Sequence, residues 1–222
     1  MPVSPVLIFC ADTDTGYRLA QLSRRENRRV IAVVRERADP ILLTKIKCEI
    51  VVGDPGDRDD VHRICGEYAS VRPTVVCLLG GSPHLNSQGN INVIDAAVEY
   101  NLHRFILLTS VGCGDSADAV DPFVKAFVGK SLQAKNWAER HLRATALDWT
   151  ILRPGGLVRR ACRGTPVLVE SNTVSGHINV YDLGDLVHQA LCSEHTVRRI
   201  YAAVDDARAY DVKGKRIQPA EL

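Results

Sequence analysis

The sequence predicts an α/β fold: a doubly wound, mostly parallel Rossmann-like sheet with helices on both faces. Short apolar runs recur along the chain, and segments with helical periodicity separate them. The runs are almost continuous in Val, Ile and Leu, which is typical of parallel strands buried on both faces. Strand and helix alternating along a whole chain give a doubly wound sheet.

The strand-like runs occupy residues 5–9, 29–34, 48–53, 74–80, 104–110 and 148–154, with two later ones at 167–170 and 199–204. The helical segments occupy residues 15–26, 40–46, 57–69, 89–101 and 121–144, with another near 183–193. Segment 121–144 begins with Asp121 and Pro122, which suit an N-cap and a first turn. We therefore expect one domain over 1–222, with a substrate-side section at about 155–205 and an exposed tail at 212–222.

Composition excludes several classes of protein. The chain has 222 residues, of which 45% are hydrophobic and 24% charged, as in an ordinary globular domain. Its net charge of +2 is too small to predict a nucleic-acid or membrane partner. The longest apolar runs are too short for a membrane span, and the N-terminus lacks the pattern of a signal peptide.

The seven cysteines are scattered, without a C-x-x-C pair, and the seven histidines show no H-x-x-x-H spacing. An odd number of cysteines with such spacing argues against a disulfide framework and against a zinc site. We therefore expect a cytoplasmic, reduced protein without a metal site. The cysteines are Cys10, Cys48, Cys65, Cys77, Cys113, Cys162 and Cys192.

The stretch "VLIFCADTDTG", residues 6–16, reads as a strand, a tight turn and the start of a helix. In an open parallel sheet, ligands bind beyond the carboxyl ends of the strands. The helix that begins there offers free N–H groups and a positive dipole end, which favour a pyrophosphate. The candidate binding residues of this loop are Thr13, Asp14, Thr15 and Gly16.

The side chains of this loop leave two interpretations open. Cys10 and Thr13 stand where such loops carry glycine. Cys10 can replace a glycine if its φ stays negative, whereas Thr13 is the harder substitution, because a β-branched residue resists a positive φ. Asp12 and Asp14 would repel a pyrophosphate if they faced it, whereas Thr13 or Asp14 could cap the helix. The loop is therefore either a tolerated dinucleotide site, with weakened or lost binding, or a structural turn.

Arg35 follows directly on the second strand. A site for NAD would carry Asp or Glu there, to bind the ribose 2′-hydroxyl, whereas a cation suits the 2′-phosphate of NADP. Arg37 offers a second cation. The alternative is that both arginines are solvated surface residues. The pattern favours NADP.

Five segments in series carry a resemblance to a known family. They are "LIFCADTDTGYRL" at the loop, "VVGDPGD" (51–57), "VCLLGGSP" (76–83), "NVIDAAVEYNLHRFILLTSVG" (92–112) and "AKNWAERHLRATALDWTILRPGGL" (134–157). From residue 5 to about 205, the chain resembles the atypical short-chain dehydrogenase/reductase superfamily. Within it, the chain is most similar to the NAD(P)-binding group with NmrA-like and biliverdin-reductase-B-like members.

The resemblance implies roles for residues outside the loop. Asp54 and Pro55 would lie near the adenine, and Gly80 and Gly81 beside the adenosine ribose. Lys135 would hold the nicotinamide ribose, with Thr109 among the cofactor contacts. The nicotinamide itself would lie against the backbone of the "RPGGL" turn, at Pro154, Gly155, Gly156 and Leu157.

Active members of the superfamily use a Tyr-x-x-x-Lys pair together with a serine, here Ser110. In this chain the position four residues before Lys135 is Ser131, whose hydroxyl is a poor general acid. The candidate catalytic residues are therefore Ser110, Ser131 and Lys135, with the proton donor unassigned. Tyr181 and His177 could enter the cleft from the C-terminal section.

These observations predict an NADP(H)-binding, reductase-like protein that reduces a small organic acceptor. One alternative is a non-catalytic module that senses the nucleotide or binds a partner protein. Another is a non-redox isomerase, cyclase or lyase that uses the same cleft. The expected partner is a small-molecule substrate, without nucleic acid or membrane; a homodimer or a partner protein stays open.

Overall fold

An eight-stranded sheet forms the centre of the protein in the computed structural model, which describes residues 4–161 and 163–221. In chain order the strands are β1 (Val6–Phe9), β2 (Val30–Val34), β3 (Glu49–Val52), β4 (Thr74–Cys77), β5 (Arg104–Leu108), β6 (Asp148–Pro154), β7 (Gly156–Val158), β8 (Pro166–Val169), β9 (Val174–Ser175), β10 (His177–Asn179), β11 (Arg199–Asp205) and β12 (Tyr210–Asp211). The α-helices are α1 (Asp14–Arg25), α2 (Ile41–Lys45), α3 (Arg58–Tyr68), α4 (Asn90–Glu99), α5 (Pro122–Arg143) and α6 (Val180–Cys192).

The strand order in the large sheet is β3-β2-β1-β4-β5-β6-β11-β8. Its pairs are parallel except that β8 runs antiparallel to β11. The order reverses between β1 and β4, and a doubly wound sheet opens a crevice at such a point beyond its carboxyl edge. The doubly wound α/β fold predicted from the sequence is confirmed.

The core has one apolar layer on each face of this sheet. On one face, β1 and its neighbours pack against α1 and α6 through side chains such as Ile8, Leu19 and Leu183. On the other face they pack against α3, α4 and α5, through side chains such as Ile64 and Ile94. Because both faces are covered, each residue of β1 and β2 is buried, which explains the continuous apolar runs in the sequence.

Several element boundaries differ from those expected. Strand β4 ends at Cys77 rather than at residue 80, and a π-helical turn at Leu85–Gly89 precedes α4. Helix α6 begins at Val180, earlier than expected, because the side chain of Asn179 accepts a hydrogen bond from the amide of Tyr181 at 3.0 Å. The strands β7, β9, β10 and β12 were not predicted, since two or three residues carry too little alternation to recognise.

The C-terminal segment is exposed at most positions but is attached to the body. The amide of Ala220 donates to the carbonyl of Leu168 on β8 at 2.7 Å, and Ile217 packs against a small apolar cluster. Cys48, Cys65, Cys77 and Cys113 are buried, whereas Cys162 lies outside the described residues. Within the described chain, the helices are too short or too polar to traverse a lipid bilayer.

Candidate functional site

A cleft of about 1170 Å³ opens beyond the carboxyl ends of β2 and β3. Its lining includes Arg35, Glu36, Arg37, Asp54, Arg58 and His84. Two acids of this wall have partners in the protein: Asp57 caps α3, and Asp60 pairs with Arg63 at 2.7 Å. The cleft therefore offers its arginines to a ligand, with the exposed Glu36 beside them. Of these arginines, Arg58 was not singled out from the sequence, because it does not follow a strand directly but lies at the start of α3.

The loop between β1 and α1 makes its tight turn at Cys10, whose φ is +63°. The condition under which Cys10 could easily replace a glycine is therefore not met, because its φ lies in the left-handed region. Thr13 is extended, with φ −87°, so its β-branched side chain is not strained. Its Oγ1 accepts from the amide of Gly16 at 3.1 Å and caps α1. Burial, with a contribution from Asp12, raises the pKa of the Cys10 thiol to about 12.

Gly16 is required by the packing of α1 against this turn. A Cβ at Gly16 would lie 2.7 Å from the carbonyl oxygen of Cys10. Such close helix–strand packing is the role of the last glycine in a dinucleotide-binding loop. Thr15 is buried beside it and donates to the carbonyl of Val180 at 2.9 Å, which ties the start of α1 to α6.

The two acids of the loop are neutralised by arginines. Asp12 pairs with Arg35 at 3.1 Å, and this contact raises the pKa of the Arg35 guanidinium. Asp14 pairs with Arg159 at 2.5 Å and accepts a hydrogen bond from the Tyr181 hydroxyl at 3.3 Å. The carboxylates thus do not present bare negative charge to a phosphate at the start of α1.

The glycines of the predicted site fall into two groups. At Gly80 and Gly81, a Cβ would meet no atom within 4 Å, so the backbone after β4 faces open space. At Gly155, a Cβ would lie 2.4 Å from the carbonyl oxygen of Gly176. At Gly156, it would lie 2.8 Å from the ring of His177. Packing between β7 and β10 therefore accounts for the second group, which lies beside Pro154 and the exposed Leu157.

The turn at Asp54 and Pro55 is held by the chain itself. Asp54 Oδ1 accepts from the amide of Gly56 at 2.8 Å, and the Asp54 amide donates to Asp60 at 3.0 Å. The carbonyl of Pro55 accepts from Asn92 Nδ2 at 3.0 Å. These bonds fix one wall of the cleft before any ligand arrives.

Lys135 is attached to the carboxyl end of β5. Its Nζ donates to the carbonyl of Thr109 at 2.7 Å, and burial lowers the pKa of this lysine. One turn earlier on α5, Ser131 Oγ accepts from Asn86 Nδ2 at 2.8 Å. Ser110, the neighbour of Thr109, donates to the carbonyl of Val111 at 3.0 Å. The lysine is thereby brought next to the strand end that carries Ser110.

A buried network of charged side chains lies next to the contact between Lys135 and Thr109. Thr109 Oγ1 donates to Glu139 at 2.6 Å, and Arg153 donates to both oxygens of Glu139, at 3.0 and 2.6 Å. Arg153 also contacts Asp115 at 2.5 Å. Glu139 and Arg153 are only 1% and 2% exposed. This network was not predicted from the sequence, since no local pattern pairs a glutamate on α5 with an arginine on β6.

Between its first residue and Ser131, helix α5 carries two exposed aromatic side chains. Phe123 and Phe127 are 73% and 75% exposed, and their rings contact edge to face, with centroids 5.0 Å apart. Four residues of α5 follow one another at intervals of four, so each is a neighbour of the next on the helix surface. This row consists of Phe123, Phe127, Ser131 and Lys135. The sequence analysis did not identify this row.

A family model for NAD(P)H-binding proteins matches residues 11–194. The chain belongs to the NAD(P)H-binding family. The match covers the loop, the cleft and the Lys135 corner together. It confirms the resemblance to atypical short-chain reductases and the expectation of an NAD(P)-binding, reductase-like protein.

Solved structures of the same fold support the family membership. ChuY from Escherichia coli, described as an anaerobillin reductase, is 28% identical with a TM-score of 0.81; the match covers 90% of this chain and 97% of ChuY. A wide-type short-chain dehydrogenase/reductase from Veillonella parvula in complex with NADP is 14% identical with a TM-score of 0.75, and covers 94% and 97% of the two chains. At that identity, the second comparison shows the fold alone.

Among curated proteins, the chain is similar to an uncharacterized chloroplastic protein of Arabidopsis thaliana. The two are 25% identical over 221 residues, which is 92% of this chain and 78% of the plant protein. The chain also matches the chloroplastic protein TIC 62 of Pisum sativum, at 29% over 126 residues; this is 51% of the chain and 22% of that protein. Because both relatives are chloroplastic, a cytoplasmic location stays a prediction from the sequence.

The residues of the site fit the dinucleotide of this family. At the start of α1, Thr13 caps the amide of Gly16, whereas the amides before it have no intrahelical partner, as at any helix start. The neighbouring acids are neutralised. The open space at Gly80 and Gly81 leaves room for a ligand beside β4. Cys10 is the residue that still differs from a glycine-rich dinucleotide-binding loop, because it carries a Cβ where glycine would leave the backbone open to the phosphates.

Proposed function

We propose that this chain is an NADPH-dependent reductase of a conjugated organic acceptor. The observation that carries the preference for NADPH is the group of arginines in the cleft. Arg35, at the end of β2, lies in one wall with Arg37 and Arg58, where a 2′-phosphate is bound in this fold. Arg35 keeps a side chain that is 63% exposed despite its contact with Asp12, so it is available to a ligand.

NADPH, when bound, would supply the hydride. Lys135 would bind the nicotinamide ribose, because its amine is already oriented by the Thr109 carbonyl. Glu139 and Arg153 would act as positioning residues that hold Thr109 and, through it, Lys135. Ser110 would exchange its bond to the Val111 carbonyl for one to the acceptor. Pre-organised donors of this kind lower the cost of orienting the reactants.

The proton comes from solvent in this proposal. Ser131 occupies the position of the usual tyrosine, and the Tyr181 hydroxyl is bonded to Asp14 at the loop. An acceptor that spreads negative charge over a conjugated system does not need a strong acid in the site. The absence of tyrosine at residue 131 therefore favours conjugated acceptors over simple ketones.

Two observations support an extended, planar acceptor. The exposed pair Phe123 and Phe127 continues the row of Ser131 and Lys135, and aromatic faces of this kind bind flat ring systems. ChuY, at 28% identity, is described as an anaerobillin reductase. We therefore propose anaerobilin and molecules of similar size as the first acceptors to test.

Calorimetric titration with NADPH, NADP⁺ and NADH tests the cofactor preference. We expect NADPH to bind with a Kd below about 100 μM, or about −5.5 kcal/mol, and NADH at least about tenfold more weakly. Arg35→Ala should reduce this preference by about tenfold, since it removes one charge-assisted contact. The matched control is Arg25→Ala, an exposed arginine at the end of α1. Equal affinities for NADPH and NADH would contradict the proposal.

Turnover is tested by following NADPH absorbance with anaerobilin, a flavin and a simple ketone as acceptors. Oxidation should require a conjugated acceptor and should be lost in Lys135→Met. Lys130→Met, an exposed lysine on the same helix, is the matched control and should retain the rate. Tight NADPH binding without turnover of any of these acceptors would instead favour a nucleotide-sensing module.

A further inference from the structure

Three metal-binding side chains converge where α1 and α6 end. Glu26 follows α1 directly, and His188 and Cys192 are four residues apart on the last turns of α6. Helix α1 begins in the nucleotide loop and extends for 12 residues, so this cluster lies about 18 Å away along the helix. It therefore belongs neither to the cofactor cleft nor to the Lys135 corner.

The distances between the three ligand atoms match those around a tetrahedral ion. Cys192 Sγ lies 3.7 Å from His188 Nε2 and 3.7 Å from a Glu26 carboxylate oxygen, which lies 3.3 Å from the same nitrogen. With zinc bond lengths of about 2.3 Å to sulfur and about 2.0 Å to nitrogen and oxygen, tetrahedral angles give separations of about 3.5 Å for sulfur and about 3.3 Å for nitrogen to oxygen.

We infer that Glu26, His188 and Cys192 form a Zn²⁺ site that clamps α1 to α6. A thiolate, an imidazole and a carboxylate are a donor set typical of zinc. On binding, the thiol proton of Cys192 passes to solvent and the sulfur takes up the metal. Glu26 and Cys192 are exposed, so water can complete the fourth position.

Arg28 is compatible with this assignment. Its guanidinium lies 3.8 Å from Cys192 Sγ and is held from behind by the carbonyl of Ser4 at 2.8 Å. A zinc ion with one thiolate and one carboxylate has no net charge, so the arginine does not face a positive centre. It would donate to the coordinated sulfur, as outer partners of metal ligands commonly do.

The clamp would act on α1, which begins in the nucleotide loop, and on α6, which packs against it. Helices α1 and α6 pack against each other, and Thr15 and Asp14, at the start of α1, bond Val180 and Tyr181 at the start of α6. Zinc would join the opposite ends of the same pair. It would therefore stabilise the helices that hold the loop without contacting the cofactor.

Competition between the protein and a chromophoric chelator for Zn²⁺ tests the site. We expect one zinc per chain, bound at least about tenfold more weakly by Cys192→Ser and by His188→Gln. Replacement by Co²⁺ should give the sulfur-to-cobalt charge-transfer band and the strong visible bands of a tetrahedral ion. The control is His62→Gln, which removes an imidazole paired with Glu99 at 3.5 Å and should bind zinc like the wild type.

Unchanged zinc affinity in both variants, or a cobalt spectrum without charge transfer, would overturn the assignment. Melting temperatures in EDTA show whether the variants fold, and Glu26→Gln, at an exposed position, gives a third test. Zinc should raise the melting temperature of the wild type and leave that of Cys192→Ser unchanged. None of these measurements depends on NADPH.

Discussion

Cys10 has a φ of +63°, and its side chain packs half-buried against both core layers. A residue with a Cβ is strained in this region by about 1 kcal/mol or more, whereas glycine is not. Replacing Cys10 by Ala or by Gly removes the same sulfur contacts, but only Gly removes the strain. We expect Cys10→Gly to be more stable than Cys10→Ala by about 1 kcal/mol in urea denaturation. Equal stabilities would show that the turn relaxes to a negative φ.

The sequence was sufficient to assign Arg35 and Lys135 to the candidate site. Arg35 directly follows a predicted strand and Lys135 lies within a helix motif, so both assignments need only neighbouring residues. The sequence could not assign partners to Asp12 and Asp14. The contact of Asp14 with Arg159 joins residues that only the finished fold brings together. The same limit applies to Cys192 and Glu26, which are 166 residues apart. Spacing along the chain could not reveal a metal site built across two helices.

Near its C-terminal end, helix α5 is held to the sheet by a buried charged side chain rather than an apolar one. Glu139 is 1% exposed and accepts from Thr109 and Arg153. Glu139→Gln removes the charge and leaves Arg153 buried with Asp115 as its remaining carboxylate. We expect a loss of about 3 kcal/mol in the free energy of unfolding, the cost of breaking a buried ion pair.

Urea denaturation of Glu139→Gln beside Glu67→Gln measures this cost. Glu67 is exposed on α3, so its variant should stay within about 0.5 kcal/mol of the wild type. Similar small changes in both variants would mean that the network of Glu139 does not stabilise the fold.

Among the helices and strands, the long segments could be predicted from the sequence and the strands of two or three residues could not. The prediction of a helix over 121–144 agrees with α5, because its caps and its periodicity span many turns. The short pairs β7–β10 and β9–β12 depend on contacts between distant segments. Gly155 and Gly156 show this limit. Both glycines were predicted from the sequence to be cofactor contacts, but the strand β10 that packs against them was not predicted.

The whole molecule should depend on pH through Lys135. Burial lowers the pKa of this lysine in the folded chain, so between that value and about 10.4 the unfolded chain binds more protons. The wild type therefore gains stability as pH rises through this window, whereas Lys135→Met has no such gain. We expect the difference in unfolding free energy to shift in favour of the wild type between pH 7 and about pH 10.

Chemical denaturation of both proteins at several pH values measures this shift. The hydrogen bond to Thr109 that Met removes adds a constant offset, which does not alter the slope. Parallel profiles for the two proteins would mean that Lys135 titrates as in the unfolded chain.

Arg35 and Arg159 flank the nucleotide loop, and each already holds a carboxylate from that loop. A phosphate that bound to either arginine would share it with, or compete against, the carboxylate that the arginine already holds. At these two arginines, charge alone therefore gives an anion less advantage than it would at an unpaired arginine. We therefore expect the rings and hydroxyl groups of a ligand to contribute to its selection as well as its charge.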